Sequence, residues 1–161
     1  KLLGMGPIML VGIHDEKIRE GAALGADYIW NSTKVDIIEE IRKVCKDGVD
    51  FVVDAAGVNQ IINQAMELVR YNGKICCYGI SPQLNMQLDW SKAPYNWDLQ
   101  FLQWPSKLEE SQCHRQIVSW IQTGVLNPED FISDVIEFDR VIDAYKMVEE
   151  KKAKKKIIIA F

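Results

Sequence analysis

Apolar positions along the chain switch repeatedly between two spacings. Residues 7–13, PIMLVGI, form an apolar run long enough for a buried strand and too short for a helix. Asp15 then precedes a segment that predicts a short helix over 16–24, with Gly25 as its stop. DYIW at 27–30 predicts a second strand. In DIIEEIRKVC, residues Ile37, Ile38, Ile41, Val44 and Cys45 share one helical face, and Lys46-Asp47-Gly48 ends that helix. VDFVVDAAG at 49–57 predicts a third strand running into small residues. A helix over 59–70 follows, with Ile61, Ile62, Ala65, Leu68 and Val69 on one face, then a turn at Asn72-Gly73 and a fourth strand, KICCYGI, at 74–80.

Strands that alternate with helices across short turns imply crossover units and a parallel sheet. Strands buried on both faces read as continuous apolar runs, as these do. After Ser81-Pro82 the texture becomes loop-like, with one more strand expected in LQFLQW at 99–104. A helix is predicted over 113–124, a strand over 132–138, and a helix over 139–150 with Asp139 as N-cap. The basic run at 151–156 leads into a last strand, KIIIAF.

At 161 residues and 48% apolar content, the chain can bury one sizeable core. A net charge of −4 gives no pointer to nucleic acid. Without an apolar run of 18 residues no membrane span is expected, and the first residues show no secretory leader. Cys45, Cys76, Cys77 and Cys113 form no C-x-x-C pair or Cys/His cluster. Buried free thiols in a reducing, cytoplasmic setting are the expectation.

Gly4-Met5-Gly6-Pro7 has the look of a phosphate-binding glycine loop. Such a loop needs a strand before it, a small third residue at G-x-G-x-x-G/A spacing, and a helix starting at the loop. Only Lys1-Leu2-Leu3 precedes Gly4, the third position is the bulky Met9, and an apolar strand follows directly. Gly4 and Gly6 therefore read as a helix end and a turn.

The ordered segments PIMLVGIHDEKIREGAALGADYIWN, GVDFVVDAAG, NGKICCYGI and KKIIIAF resemble the medium-chain dehydrogenases/reductases. The zinc-dependent alcohol/polyol branch, with its sorbitol and threonine dehydrogenases, is the most similar. The resemblance implies an α/β fold, a Rossmann-like doubly wound parallel sheet lacking its first strand and glycine loop. It implies a truncated NAD(P)-binding domain at 1–125 and a segment at 126–161 that returns toward a catalytic domain. The activity implied for the whole enzyme is zinc-assisted hydride transfer between NAD(P) and an alcohol or polyol, with the metal in that absent domain and the fragment alone inactive. A homo-oligomer joined at the edge strand LQFLQW is also implied. A zinc-free quinone or enone reductase of the same superfamily and a non-catalytic nucleotide-binding module remain alternatives.

Cofactor contacts follow from the same resemblance. The adenosine ribose lies at the end of the first strand, where NAD binders carry a carboxylate. Here Gly12 and Ile13 stand there, and His14 and Lys17 follow as donors, which leans toward NADP. The alternative is that Asp15 serves the ribose. Ala55, Ala56 and Gly57 border the adenine and ribose, and Gly79 and Ile80 lie along the nicotinamide. Gln103 and Trp104 fall near its carboxamide. Lys156 holds the place of a basic residue at the pyrophosphate, although the lysine run also reads as a solvated helix end. Asp50 and Asp54 read as a strand-start acid and a turn acid. His14 and His114 are too isolated to propose as a catalytic pair.

Overall fold

The computed structural model describes the chain except for Leu84, Gln103 and Lys151. The predicted contact at Gln103 lies outside the described residues. The chain divides into two compact parts, residues 1–104 and 105–161.

In the first part, β1 (Met9–Gly12), α1 (Asp15–Ala23), β2 (Tyr28–Asn31), α2 (Ile37–Val44), β3 (Val49–Asp54), α3 (Asn59–Leu68), β4 (Val69–Cys77) and β5 (Asp98–Phe101) follow in order. β1 pairs with β2, and β3, β4 and β5 form a second sheet with β5 at its edge; every pairing is parallel. The α/β expectation holds. Residues 1–4 form a turn closed by the Gly4 amide on the Lys1 carbonyl at 2.8 Å, and β1 opens at Met9 with no helix between. The glycine pair is a turn into a strand, and the expected helix end is a single turn.

Two apolar clusters hold these elements. Ile37 and Ile41 of α2 bury with Leu68, and Met9, Trp30 and Val49, from strands of both sheets, pack against this cluster. Ile62, Ala65 and Met66 of α3 bury against Val69, Ile75 and Cys77 of β4. Ile75 and Cys77 share a face because strand side chains alternate. The segment after β4 also closes this core: Met86, Leu88, Ala93 and Trp97 pack on it. Asn63 of α3 pins that segment, donating to the Gln87 carbonyl at 2.9 Å and accepting from the Asp89 amide at 2.9 Å.

Several boundaries differ from expectation, two of them around the start of β4. The helix predicted to 70 stops at Leu68, and Val69 is already extended and buried in β4. Its apolar side chain fits either period. The expected turn at Asn72-Gly73 is a bulge inside β4. Asn72 takes φ +58°, and pairing jumps from Val49↔Val69 to Phe51↔Lys74.

The second part comprises α4 (Lys107–Gln122), β6 (Ile132–Glu137), α5 (Val141–Glu149) and β7 (Lys156–Ala160), with β6 and β7 parallel across α5. Asp139 does not cap α5. It sits in a short 3₁₀ turn (Phe138–Arg140), and the cap position is Arg140. α4 starts six residues before the predicted 113. Ser106 opens a capping box, accepting from the Glu109 amide at 3.3 Å while its own amide donates to the Glu109 carboxylate at 2.7 Å.

The Ser106 hydroxyl and then its backbone amide hold the Glu109 carboxyl below the usual carboxylate range. A lowered native pKa adds stability that is complete above the unfolded-state value and is lost as pH falls through the native one. Ser106→Ala is expected to cost about 1 kcal/mol. It is also expected to flatten the acid-side loss of helix, as followed by far-UV circular dichroism across an acid titration.

Candidate functional site

The carboxyl ends of β3 and β4 are locked together through Asp54, the buried last residue of β3. One carboxylate oxygen accepts from the Ala56 and Gly57 amides, both at 3.0 Å. Its backbone carbonyl accepts from the Tyr78 amide at 2.9 Å and the Gly79 amide at 2.7 Å. An Asp that ties down the backbone two and three residues on is an Asx-type turn. Asp54 is thus a turn acid, as expected. Asp50, at the strand start, pairs with Arg70 at 2.6 Å.

Glycine is required where these two turns meet. A Cβ on Gly79 would stand 2.1 Å from the Gly57 nitrogen, and one on Gly57 (φ +70°) would stand 2.4 Å from the Ile80 carbonyl oxygen. The result is a tight backbone-on-backbone contact in which Gly57 is buried, flanked by exposed Ala55 and Ala56, with Ile80 64% exposed beside it. Asn59, at the start of α3, holds the following loop by donating to the Gln83 and Asn85 carbonyls at 3.3 and 3.2 Å. Ala55, Ala56, Gly57, Gly79 and Ile80 are therefore brought together.

Gly12, Ile13, His14 and Lys17 form a second group, at the carboxyl end of β1 and the first turn of α1. Gly12 pairs with Asn31 of β2, and its carbonyl accepts from the Ser32 amide at 2.9 Å. Ile13, His14 and Lys17 are exposed. A Cβ on Gly12 would meet the Ile18 side chain at 3.1 Å, so any larger residue needs Ile18 to shift.

Sequence reasoning missed the partners of this turn. Asn31 donates to an Asp15 carboxylate oxygen at 2.6 Å and to the Ile13 carbonyl at 3.3 Å, and Lys34 bonds the other Asp15 oxygen. The Lys34 ammonium, then the Asn31 amide, hold the Asp15 carboxyl below its ordinary range.

The remaining predicted contacts stand apart. Trp104 follows β5 past its carboxyl end, which lies level with those of β3 and β4, and is 85% exposed. Lys156 opens β7 in the second part, exposed and paired with Ile132. Cys76 and Cys77 are buried free thiols as expected, whereas Cys113 is exposed and Cys45 half-buried. Burial, then Asp54 and Cys76, pushes the Cys77 thiol up. Among the described residues no cluster of His, Cys, Asp and Glu could hold a metal, and no helix is long and apolar enough to cross a membrane.

The chain matches a family model described as zinc-binding dehydrogenase over residues 1–99. Sorbitol dehydrogenase of Bacillus subtilis (strain 168) is 22% identical over 145 residues, covering 89% of this chain and 40% of that protein. An alcohol dehydrogenase zinc-binding domain protein from Burkholderia ambifaria superposes with a TM-score of 0.85 at 18% identity, over 99% of this chain and 43% of that one. A short chain alcohol dehydrogenase from E. coli CFT073, solved with NADH, gives 0.79 at 18% identity over 98% of this chain and 45% of that one. The chain thus spans less than half the length of these relatives. By that family match and by its parallel α/β architecture, the chain belongs to the zinc-binding dehydrogenase family and has the Rossmann-like fold of its cofactor-binding domain.

Proposed function

We propose that this chain is the cofactor-binding part of an oxidoreductase that moves hydride between NAD(P) and a small alcohol or polyol. The observation that carries the reading is the backbone contact of Gly57 with Gly79 and Ile80 at the strand ends. Ligands of open parallel α/β sheets lie outside the carboxyl ends of the strands. Small exposed residues, Ala55 and Ala56, beside that contact and an exposed isoleucine leave room for a flat heteroaromatic ring at the strand ends.

In this reading Ala55, Ala56 and Gly57 border adenine and ribose, and Gly79 and Ile80 lie along the nicotinamide. Gly12, Ile13, His14 and Lys17 meet the adenosine ribose, Trp104 and Gln103 the carboxamide, and Lys156 the pyrophosphate. Residues 1–125 carry the cofactor, and 126–161 return toward a catalytic domain. The bound nicotinamide supplies the hydride chemistry. This chain's residues bind and orient it. Gly12 places no carboxylate at the ribose, which favours NADP. The described residues do not fit zinc. Metal assistance in the whole enzyme falls to other residues. The exposed edge at β5, with Phe101 and Leu102 beyond cover, serves contact with a second copy, and the free thiols suit the cytoplasm.

Titration of the purified chain with NADPH and NADH, read by cofactor fluorescence, tests this. Binding of both, NADPH the tighter, is expected, with no alcohol oxidation by the chain alone. Binding of neither overturns the cofactor reading. Appreciable oxidation overturns the assignment of catalysis to other residues.

A further inference from the structure

We propose that Lys34 is the residue that selects a 2′-phosphorylated cofactor over NADH. The inference rests on the dinucleotide reading above and adds to it a residue from outside the β1–α1 turn. A ribose with free hydroxyls is recognised by a carboxylate that accepts from them, and a 2′-phosphate by a cation. β1 ends in Gly12, so Asp15 is the carboxylate of this turn nearest the strand end. Both of its oxygens are already engaged, one by the Asn31 amide and the other by the Lys34 ammonium.

Asn31 is committed on every side. Its oxygen accepts from the Thr33 amide at 2.9 Å and the Thr33 hydroxyl at 2.7 Å, while its nitrogen holds Asp15 and the Ile13 carbonyl. With Ser32 bonded to the Gly12 carbonyl, this fixes residues 31–34 against the β1–α1 turn. Lys34 is thereby delivered to the end of β1 from a different strand.

Charge favours the same ligand. Asp15 and Glu16 are the acids of the first helical turn, and Lys17, Arg19 and Lys34 are the cations around them. Lys34 cancels the Asp15 charge that would repel a phosphate. The Lys34–Asp15 pair is exposed, at 60% and 45% of the two side chains. Exposed ion pairs are weak. A phosphate dianion can therefore take a share of the Lys34 ammonium while Asn31 still satisfies Asp15, and charge-assisted bonds to phosphate are among the stronger ones. Asp15 is held from two sides, by Asn31 on one oxygen and Lys34 on the other.

The test is titration of the 161-residue chain and its Lys34→Met and Lys34→Arg variants with NADPH, NADH, 2′,5′-ADP and 5′-AMP. Cofactor fluorescence reads the first two and calorimetry the others. Lys34 is exposed, so circular dichroism should show all three proteins equally folded. Lys34→Met is expected to weaken NADPH and 2′,5′-ADP about tenfold, equivalent to one lost charge-assisted contact. NADH and 5′-AMP should stay within about twofold, and Lys34→Arg should retain NADPH. Equal losses for phosphorylated and unphosphorylated ligands, or none, overturn the role of Lys34 and leave the dinucleotide reading standing. Failure of the unaltered chain to bind any of the four overturns both.

Discussion

Gly79→Ala is expected to destabilise the chain by roughly 3 kcal/mol or more and to abolish cofactor binding. The new Cβ would lie 2.1 Å from the Gly57 nitrogen, 2.7 Å from its Cα and 2.8 Å from the Ala56 carbonyl carbon. All three are backbone atoms, so no rotamer change relieves the clash. The turns after β3 and β4 must separate, and that pulls on the Asp54 carbonyl that accepts from the Tyr78 and Gly79 amides. Gly57→Ala meets the Ile80 backbone in the same way and adds the strain of φ +70°. Gly124→Ala separates the two causes. Its φ is +73° but its surroundings are open, so it should cost only about 1 kcal/mol. Urea denaturation of the three variants measures the difference. A Gly79→Ala midpoint close to that of Gly124→Ala would show that the turns do not meet.

Ile75→Ala is the second large effect, expected at roughly 2–5 kcal/mol. Ile75 is 0% exposed at the centre of β4, enclosed by Ile62, Ala65, Met66, Val69 and Cys77. Alanine leaves a cavity in the cluster that α3 and the 86–97 segment cover. Asn63 ties that segment to α3, so the two move into it only together. Against a total stability of about 5–15 kcal/mol for a domain, this loss takes a large share. Ile13→Ala, at a side chain 59% exposed, should change little by comparison. Thermal unfolding of both variants checks the contrast, and equal melting temperatures would place the core elsewhere.

The strands and helices of residues 7–68 were legible because each combines one clear period with a turn residue. Boundaries failed where a residue suits two periods. Val69 completes the apolar face of a helix and equally opens a strand, and burial of the strand decided it. α4 was half seen because its first turns carry few apolar residues. The Ser-x-x-Glu signal at Ser106 and Glu109 marked its true start. Asp139 looked like a cap, but the 3₁₀ turn moved the helix on to Val141.

In the site, Gly57 and Gly79 could be named one at a time, as small residues at strand ends. Their mutual contact is tertiary and has no sequence signal. Asp54 had one, its spacing to Gly57, which fits a turn that folds onto its own carboxylate. Lys34 had none: it sits 19 residues from Asp15, and only the pairing of β1 with β2 brings the two together.

The central claim is that the carboxyl ends of these strands carry a dinucleotide. Backbone amide chemical-shift mapping of the labelled chain during NADPH titration tests it most directly. The expected result is saturable shifts at Gly12–Lys17, Ala55–Gly57 and Gly79–Ile80, with Asn72, at the bulge inside β4, and Asn96, just before β5, unmoved. Shifts confined to Asn72 and Asn96, or none at saturating NADPH, would contradict it.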